Sequence, residues 1–251
     1  AEVSRNHTEL MLKFLKYPIK IKKKKKFDQI FINGLHQFKA FEYDVPGDIS
    51  SASFFIVLTL LSNQSQIIIK NVNINKSRIG IVSILNKMGA GIQLKKRRTY
   101  NGEEIANIYV KSKRNLTAIN CPSKLNSSAI DEFLIIFLVA AKAKGISKFK
   151  NLGEMNKKES KRLDISIKFL KLIGIKVERF QNDINIYGKP NLTLSKNFEI
   201  KNFLKDHRVF FLSCIAALTL GGKWKINDKD SINTSFPEFL KTLKNLGAQI
   251  N

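Results

Sequence analysis

Acidic residues are scarce in this chain. Its 251 residues carry 20 aspartates and glutamates against 44 lysines and arginines, a formal net charge of +24 at pH 7. Cysteine is scarcer. Cys121 and Cys214 are the only two, and they show neither metal-ligand spacing nor a disulfide framework. No metal site is expected, and a reducing, cytoplasmic location suits such a chain. Long apolar runs are also missing. The longest are FFIVLTLL from Phe54, FLIIFLVAA from Phe133 and VFFLSCIAALTL from Val209. All fall short of the roughly 20 residues that span a bilayer. They read as buried helices, and no membrane partner is expected. The opening AEVSRNHTEL lacks the basic start and apolar run of a signal peptide. The apolar share of 43% is enough for a sizeable core. The length admits one large domain, or a domain and a piece of another.

A charge of this size raises nucleic-acid or membrane binding. Here the excess is mainly lysine and is spread along the chain. Isoleucine and asparagine are abundant too, and all three have A/T-rich codons. Genome composition therefore explains the balance without a polyanion partner. The dense cluster is Lys22 to Lys26, between IKI and FDQIFING. It reads as a solvated strand pair closing at Asn33-Gly34 or at the lysines themselves. Small anionic substrates are a third source of positive charge, and the motifs below favour it.

The chain repeats itself. Three apolar segments begin near an aspartate: Asp48 before SSASFFIVLTLL, Asp131 before EFLIIFLVAA, Asp206 before HRVFFLSCIAAL. A short strand follows each, then an amphipathic helix that stops at Gly89, Gly174 or Gly247. Glycine suits a helix C-terminus because it adopts positive φ without a Cβ clash. The aspartate-to-glycine intervals are 41, 43 and 41 residues by subtraction of those positions. The pattern predicts an α/β domain of three strand-helix-strand-helix-strand units, at about 41–115, 116–190 and 191–251. Crossovers of this kind imply largely parallel pairing. The first helix of each unit, apolar nearly all round, is expected in the middle. Residues 1–40, a helix and a hairpin, read as the tail of a different, incomplete domain. The boundary falls at FEYDVPGD, with Pro46 and Gly47.

The motifs carry a resemblance. GDISSAS (47–53), KKESKRL (157–163), KDHRVFF (205–211), TSFPEFLKTLKNLGA (234–248) and SRNHTELML (4–12) lie in the order found in the enolpyruvyl transferases of the shikimate pathway. The chain resembles the C-terminal part of a 3-phosphoshikimate 1-carboxyvinyltransferase (EPSP synthase). The resemblance implies an inside-out α/β barrel domain, with substrates held between it and a second domain. It implies enolpyruvyl transfer from phosphoenolpyruvate to the 5-hydroxyl of shikimate 3-phosphate, releasing phosphate, with no cofactor. It also implies a monomer when full length. The first domain's phosphate-gripping segments are missing, so the chain alone is expected to be inactive.

Two highly charged anions need several cations and a proton carrier. By resemblance, Asp131 and Glu159 are catalytic. Ser4, Asp131 and Lys158 bind shikimate 3-phosphate. Arg162, Arg208 and Lys229 bind phosphoenolpyruvate, with His207 and Arg5 in support. On a helix, Lys158 and Arg162 would share one face, four residues apart. Taken alone, KKESKR also reads as a salt-bridged surface helix, and Asp131 and Asp206 as helix caps. Lys161 stands where the family usually has aspartate, which bears on how Arg162 is held. Asp48, Ser50 and Ser51 read as fold and hinge. Glu132 has no assigned role. The rivals are the peptidoglycan enolpyruvyl transferase and a basic nucleic-acid-binding module. The second needs exposed aromatics along a basic stripe, whereas Phe54, Phe55, Phe133, Phe137, Phe210 and Phe211 sit in the apolar helices, which counts against it.

Overall fold

The computed structural model describes residues 5–25 and 27–250. Helix α1 (His7–Phe14) leads into an antiparallel hairpin of β1 (Ile19–Lys23) and β2 (Asp28–Ile32). The hairpin turns within the lysine run, where the Lys24 N–H donates to the Phe27 carbonyl at 3.0 Å. Asn33-Gly34 lies beyond β2, and residues 33–46 form neither helix nor strand.

The first unit holds α2 (Ile49–Leu61), β3 (Gln66–Asn73), α3 (Gly80–Lys87), β4 (Gln93–Tyr100) and β5 (Glu103–Lys111). The second holds α4 (Asn126–Ala129), α5 (Phe133–Lys142), β6 (Ile146–Phe149), α6 (Arg162–Leu172), β7 (Val177–Phe180) and β8 (Asp183–Tyr187). The third holds β9 (Asn197–Ile200), α7 (His207–Leu220), β10 (Lys223–Ile226) and α8 (Phe239–Asn245). No helix among the described residues is long and apolar enough to cross a membrane.

Pairing is not largely parallel. Sheets β3-β5-β4 and β6-β8-β7 are antiparallel throughout. Among the described residues, parallel pairing is confined to β9 with β10 and to single bridges such as Gly47 with Val72 and Asn120 with Lys148. The cause is local. Two-residue turns join β4 to β5 and β7 to β8, closing at Tyr100 with Glu103 and Phe180 with Asp183. Asn101 and Gly102 sit at φ +48° and +80°, and Gln181 at +54°. Turns of that hand reverse the chain within a strand pair.

The central layer is α2, α5 and α7, packed on one another. Every residue from Phe133 to Ala141 is buried, so α5 needs no polar face. Phe54, Phe211 and Phe239 join α2, α7 and α8, the last two rings 4.2 Å apart. The three amphipathic helices end alike. Ala90, Ile175 and Ala248 N–H groups donate to Leu85, Leu170 and Leu243 carbonyls at 3.0, 2.9 and 3.0 Å. Gly89, Gly174 and Gly247 precede those donors at φ +90°, +77° and +95°. This is the Schellman arrangement, and glycine supplies its left-handed residue.

Gly188, just past β8, lies against the end of α5. A Cβ there would sit 1.9 Å from the Ala143 carbonyl oxygen and 2.8 Å from that of Ala140. Gly188→Ala is expected to cost about 3 kcal/mol of stability, because backbone must move to admit the methyl. A urea midpoint equal to that of the parent would refute this.

Candidate active site

Three chain segments converge at one end of the central helices. Asp206 precedes α7, and its Oδ1 accepts the Arg208 N–H at 3.0 Å, a regular N-cap. Its Oδ2 faces backwards into the protein. There it accepts from Ser160 Oγ at 2.7 Å and Arg162 Nε at 2.9 Å.

Asp131 does not cap a helix. It lies in the turn between α4 and α5, and its carboxylate faces three cations. Lys158 Nζ is 3.2 Å and Arg162 Nη1 3.4 Å from Oδ1, and Arg5 pairs with Oδ2. Arg208 Nη1 donates to the Asp131 backbone carbonyl at 2.9 Å. Arg208 is therefore tied to this turn through the main chain.

The KKESKR segment departs from the helical expectation. Helix α6 begins only at Arg162, and Lys158 is extended, at φ −92° and ψ −169°. The Asn156 side chain caps α6 from behind by accepting from the Leu163 N–H at 3.0 Å. Lys158 and Arg162 still meet, because both are drawn to Asp131. Arg162 is 1% exposed. Its Nη2 also reaches Glu159 at 2.6 Å, while the Glu159 side chain remains 58% exposed. Lys161 is exposed and takes no part in holding Arg162, whose acidic partners are Asp206, Asp131 and Glu159.

Glu132 is buried. It accepts from Ser50 Oγ at 2.5 Å and lies 3.7 Å from Arg208 Nη1. Ser160 lies inside the KKESKRL match, yet nothing in the spacing gave a role to it or to Glu132. His207 is half-buried, with its ring edge-on to Phe211 at 5.8 Å. Lys229 is exposed and begins a short 3-10 turn. Among the described residues it makes no hydrogen bond or ion pair with this cluster. Ser4 lies outside the described residues.

The electrostatics follow from burial and charge. Burial alone would raise the Asp131 carboxyl, but Arg208, Lys158 and Arg5 outweigh it and hold the group well below the usual carboxylate range. Asp206 is likewise raised by burial and brought below its ordinary value by Arg162 and Ser160. Glu132 goes the other way, because burial dominates Arg208 and Ser50. Burial and the Arg208 charge lower the His207 pKa, favouring a neutral ring. Burial pushes the Cys121 and Cys214 thiols up to about 11 and about 12, leaving neither as a thiolate nucleophile. The cluster thus offers fixed anions, forked cations and one exposed carboxylate. That set can grip phosphate or carboxylate groups and move protons beside them.

Comparison with known proteins decides the family. The model of EPSP synthase (3-phosphoshikimate 1-carboxyvinyltransferase) matches residues 1–243. The chain belongs to the EPSP synthase family. A 3-phosphoshikimate 1-carboxyvinyltransferase from Ruthia magnifica subsp. Calyptogena magnifica is 37% identical over 252 residues, covering 99% of this chain and 55% of its own length. One from Staphylococcus aureus is 36% identical over 250 residues, with 97% and 55% covered. An EPSP synthase structure from Acinetobacter baumannii superposes with a TM-score of 0.90 at 31% identity, covering 100% of this chain and 56% of that one. An enolpyruvyl transferase from Streptomyces tendae, 14% identical with a TM-score of 0.72, shares the fold. The chain spans about half the length of the EPSP synthases it matches.

Two outcomes are expected for the ion cluster. Arg162→Met leaves Asp206 and Asp131 buried without their central partner, and should destabilise the chain by about 3–5 kcal/mol at pH 7. The pH dependence has a definite sign. Arg162 is the main group that brings the Asp206 carboxyl below the unfolded value of about 3.9, so the unfolded chain takes up that proton first on acidification. The stabilisation it gives is present above about pH 4 and is lost as pH falls through the folded value. Urea titrations should therefore show the gap between parent and Arg162→Met shrinking below pH 4. A gap independent of pH would contradict the assignment.

Proposed function

We propose that this chain forms one wall of a 3-phosphoshikimate 1-carboxyvinyltransferase site. Residues 41–251 would be one domain, and residues 1–40 the end of another. The observation that carries the reading is the convergence of Lys158, Arg162, Arg208 and Arg5 on Asp131, with Glu159 at the exposed edge. In this reading the Asp131 carboxylate holds the hydroxyls of shikimate 3-phosphate and receives the 5-hydroxyl proton. Lys158 and Ser4 hold its phosphate. The oxygen attacks C2 of phosphoenolpyruvate while C3 gains a proton from Glu159. Return of a C3 proton to Glu159 then expels phosphate from C2 and restores the double bond, and the departing phosphate takes the proton that Asp131, a weak base, held only in passing.

Arg162 would take up phosphoenolpyruvate through its Nη edge, with its Nε kept on Asp206. The anion competes with Glu159 for that edge, so binding frees the carboxylate that moves protons. Arg208 offers a second fork, with His207 beside it, and Lys229 adds a cation. Phe27, Ile32, Leu35 and Phe38 are exposed in the first 45 residues. This suits a face covered by the remaining part of such enzymes. Two buried, unpaired thiols are consistent with a cytoplasmic location. We assign no nucleic-acid or membrane partner, and expect a monomer once the fold is complete.

The test is phosphate release from shikimate 3-phosphate and phosphoenolpyruvate. The 251 residues alone should give none, because one wall cannot align two anions. Joined to the complementary N-terminal part of a relative, they should turn over. Glu159→Gln should then lower kcat by about 10²–10⁴-fold with little change in binding. Arg208→Ala should weaken phosphoenolpyruvate binding by roughly 2–4 kcal/mol. Near-normal kinetics in both variants would remove these residues from the site. Turnover by the chain alone, abolished by Glu159→Gln, would show that no second wall is needed.

A further inference from the structure

The GDISSAS segment and Glu132 have no part in the chemistry above, yet they are joined to it. Asp48 caps α2 by accepting from the Ser51 N–H at 3.0 Å. Arg78 Nη2 bridges Asp48 Oδ1 at 3.1 Å and Ser50 Oγ at 2.7 Å. The Ser50 hydroxyl in turn donates to Glu132 Oε1 at 2.5 Å, and Glu132 faces Arg208 Nη1 at 3.7 Å. Behind Asp48, the Gly47 N–H donates to the Asn71 carbonyl at 2.9 Å, and the Asn73 N–H to the Gly47 carbonyl at 2.8 Å. The chain therefore enters α2 at a place fixed on β3.

We propose that Glu132 is a positioning residue which, through Ser50 and Arg78, sets the orientation of the Arg208 guanidinium from the point where the chain enters α2. This rests on the reading of Arg208 as an anion grip. The geometry gives the mechanism. Arg208 Nη1 is held between the Asp131 carbonyl and the Glu132 carboxylate. Among the described residues, no hydrogen bond occupies Arg208 Nε or Nη2. Pinning one nitrogen fixes the plane of the fork and leaves its other two donors for a bidentate anion. A guanidinium oriented in advance loses less freedom on binding. The groups facing Glu132 are Arg208, Ser50, Asp131 and Arg78. Its carboxylate is thus directed by one hydroxyl and flanked by cations on two sides.

A Coulomb argument alone predicts the opposite. A carboxylate beside an anion-binding arginine repels the anion, so its removal should tighten binding. Positioning predicts that removal weakens binding. The sign separates the two.

The experiment uses the whole 251-residue chain, with Glu132→Gln, Ser50→Ala and Arg78→Lys. The last keeps the charge, but a single ammonium replaces the guanidinium across Asp48 and Ser50, and Arg78 is only half-buried, so folding is least at risk. The first readout is the side-chain nitrogen NMR of Arg208, assigned by its disappearance in Arg208→Lys. Separate Nη signals from slow rotation are expected in the parent, and averaged signals in all three variants. The second readout is titration with phosphoenolpyruvate, where about tenfold weaker binding is expected in each variant, without a matching loss of melting temperature in Arg78→Lys. Averaged Arg208 signals in the parent, unchanged signals in the variants, or tighter binding by Glu132→Gln would each overturn the proposal. A parent that binds no phosphoenolpyruvate would count against the function proposed above. The Arg208 signals would still decide the positioning role.

Discussion

Arg162 is the constraint on which the rest of this structure turns. A guanidinium cannot be deprotonated, so burying it to 1% exposure is tolerable only with anions against it. Asp206 takes Nε, Asp131 takes Nη1, and Nη2 is shared by Glu159 and Asp206. These acids come from different places: the turn before α5, the segment before α6 and the cap of α7. One side chain therefore fixes the relative placement of the second and third units at the end where their helices begin. Asp206 caps α7 with Oδ1 and holds Arg162 with both oxygens, Nε on Oδ2 at 2.9 Å and Nη2 on Oδ1 at 3.3 Å. The helix start and the ion pair cannot be altered independently.

Much of the fold was legible because its signals are local. The three glycines end three helices because only their left-handed residue lets the chain leave in that way. The three apolar runs lie in the centre because a helix without a polar face has nowhere else to go. Strand direction was misread for a physical reason. Helix-strand order suggested crossovers, but Asn101-Gly102 is a two-residue hairpin signal, and hairpins make antiparallel ladders. The parallel crossovers exist as single bridges in the first two units and as a short pair in the third. They are too brief to set the character of the sheets.

The site was legible residue by residue more than in its geometry. Lys158 and Arg162 meet, but not by helical spacing. Lys158 is extended and Arg162 opens the helix, and a shared anion brings them together. The concern over Lys161 had assumed that the neighbouring position holds Arg162. The acid that does so, Asp206, lies 44 residues away in sequence. Ser160 lies inside the KKESKRL match and Glu132 beside Asp131, but no role could be read for either because their partners, Asp206 and Ser50, come from other units. Tertiary contacts of that kind have no period to read.

The surplus of +24 does not by itself locate an anion site, and the motifs rather than the net charge point to anionic substrates. Yet the cluster itself is balanced: Arg5, Lys158, Arg162 and Arg208 stand against Asp131, Glu132, Asp206 and Glu159. The lysine excess is spread over the surface, where screening weakens its pull on any one site. Affinity for a phosphorylated carboxylate then depends on how the cluster rearranges, not on its net charge. Asp206, Asp131 and Glu132 are buried and hydrogen-bonded, so displacing any of them leaves a charge without water or partner. Glu159 is the exception. Its side chain is more than half exposed, and water can take over from Arg162 at little cost. An arriving anion displaces the acid that is cheapest to move. On the proposed reading, that acid is also the one that must be free to carry protons.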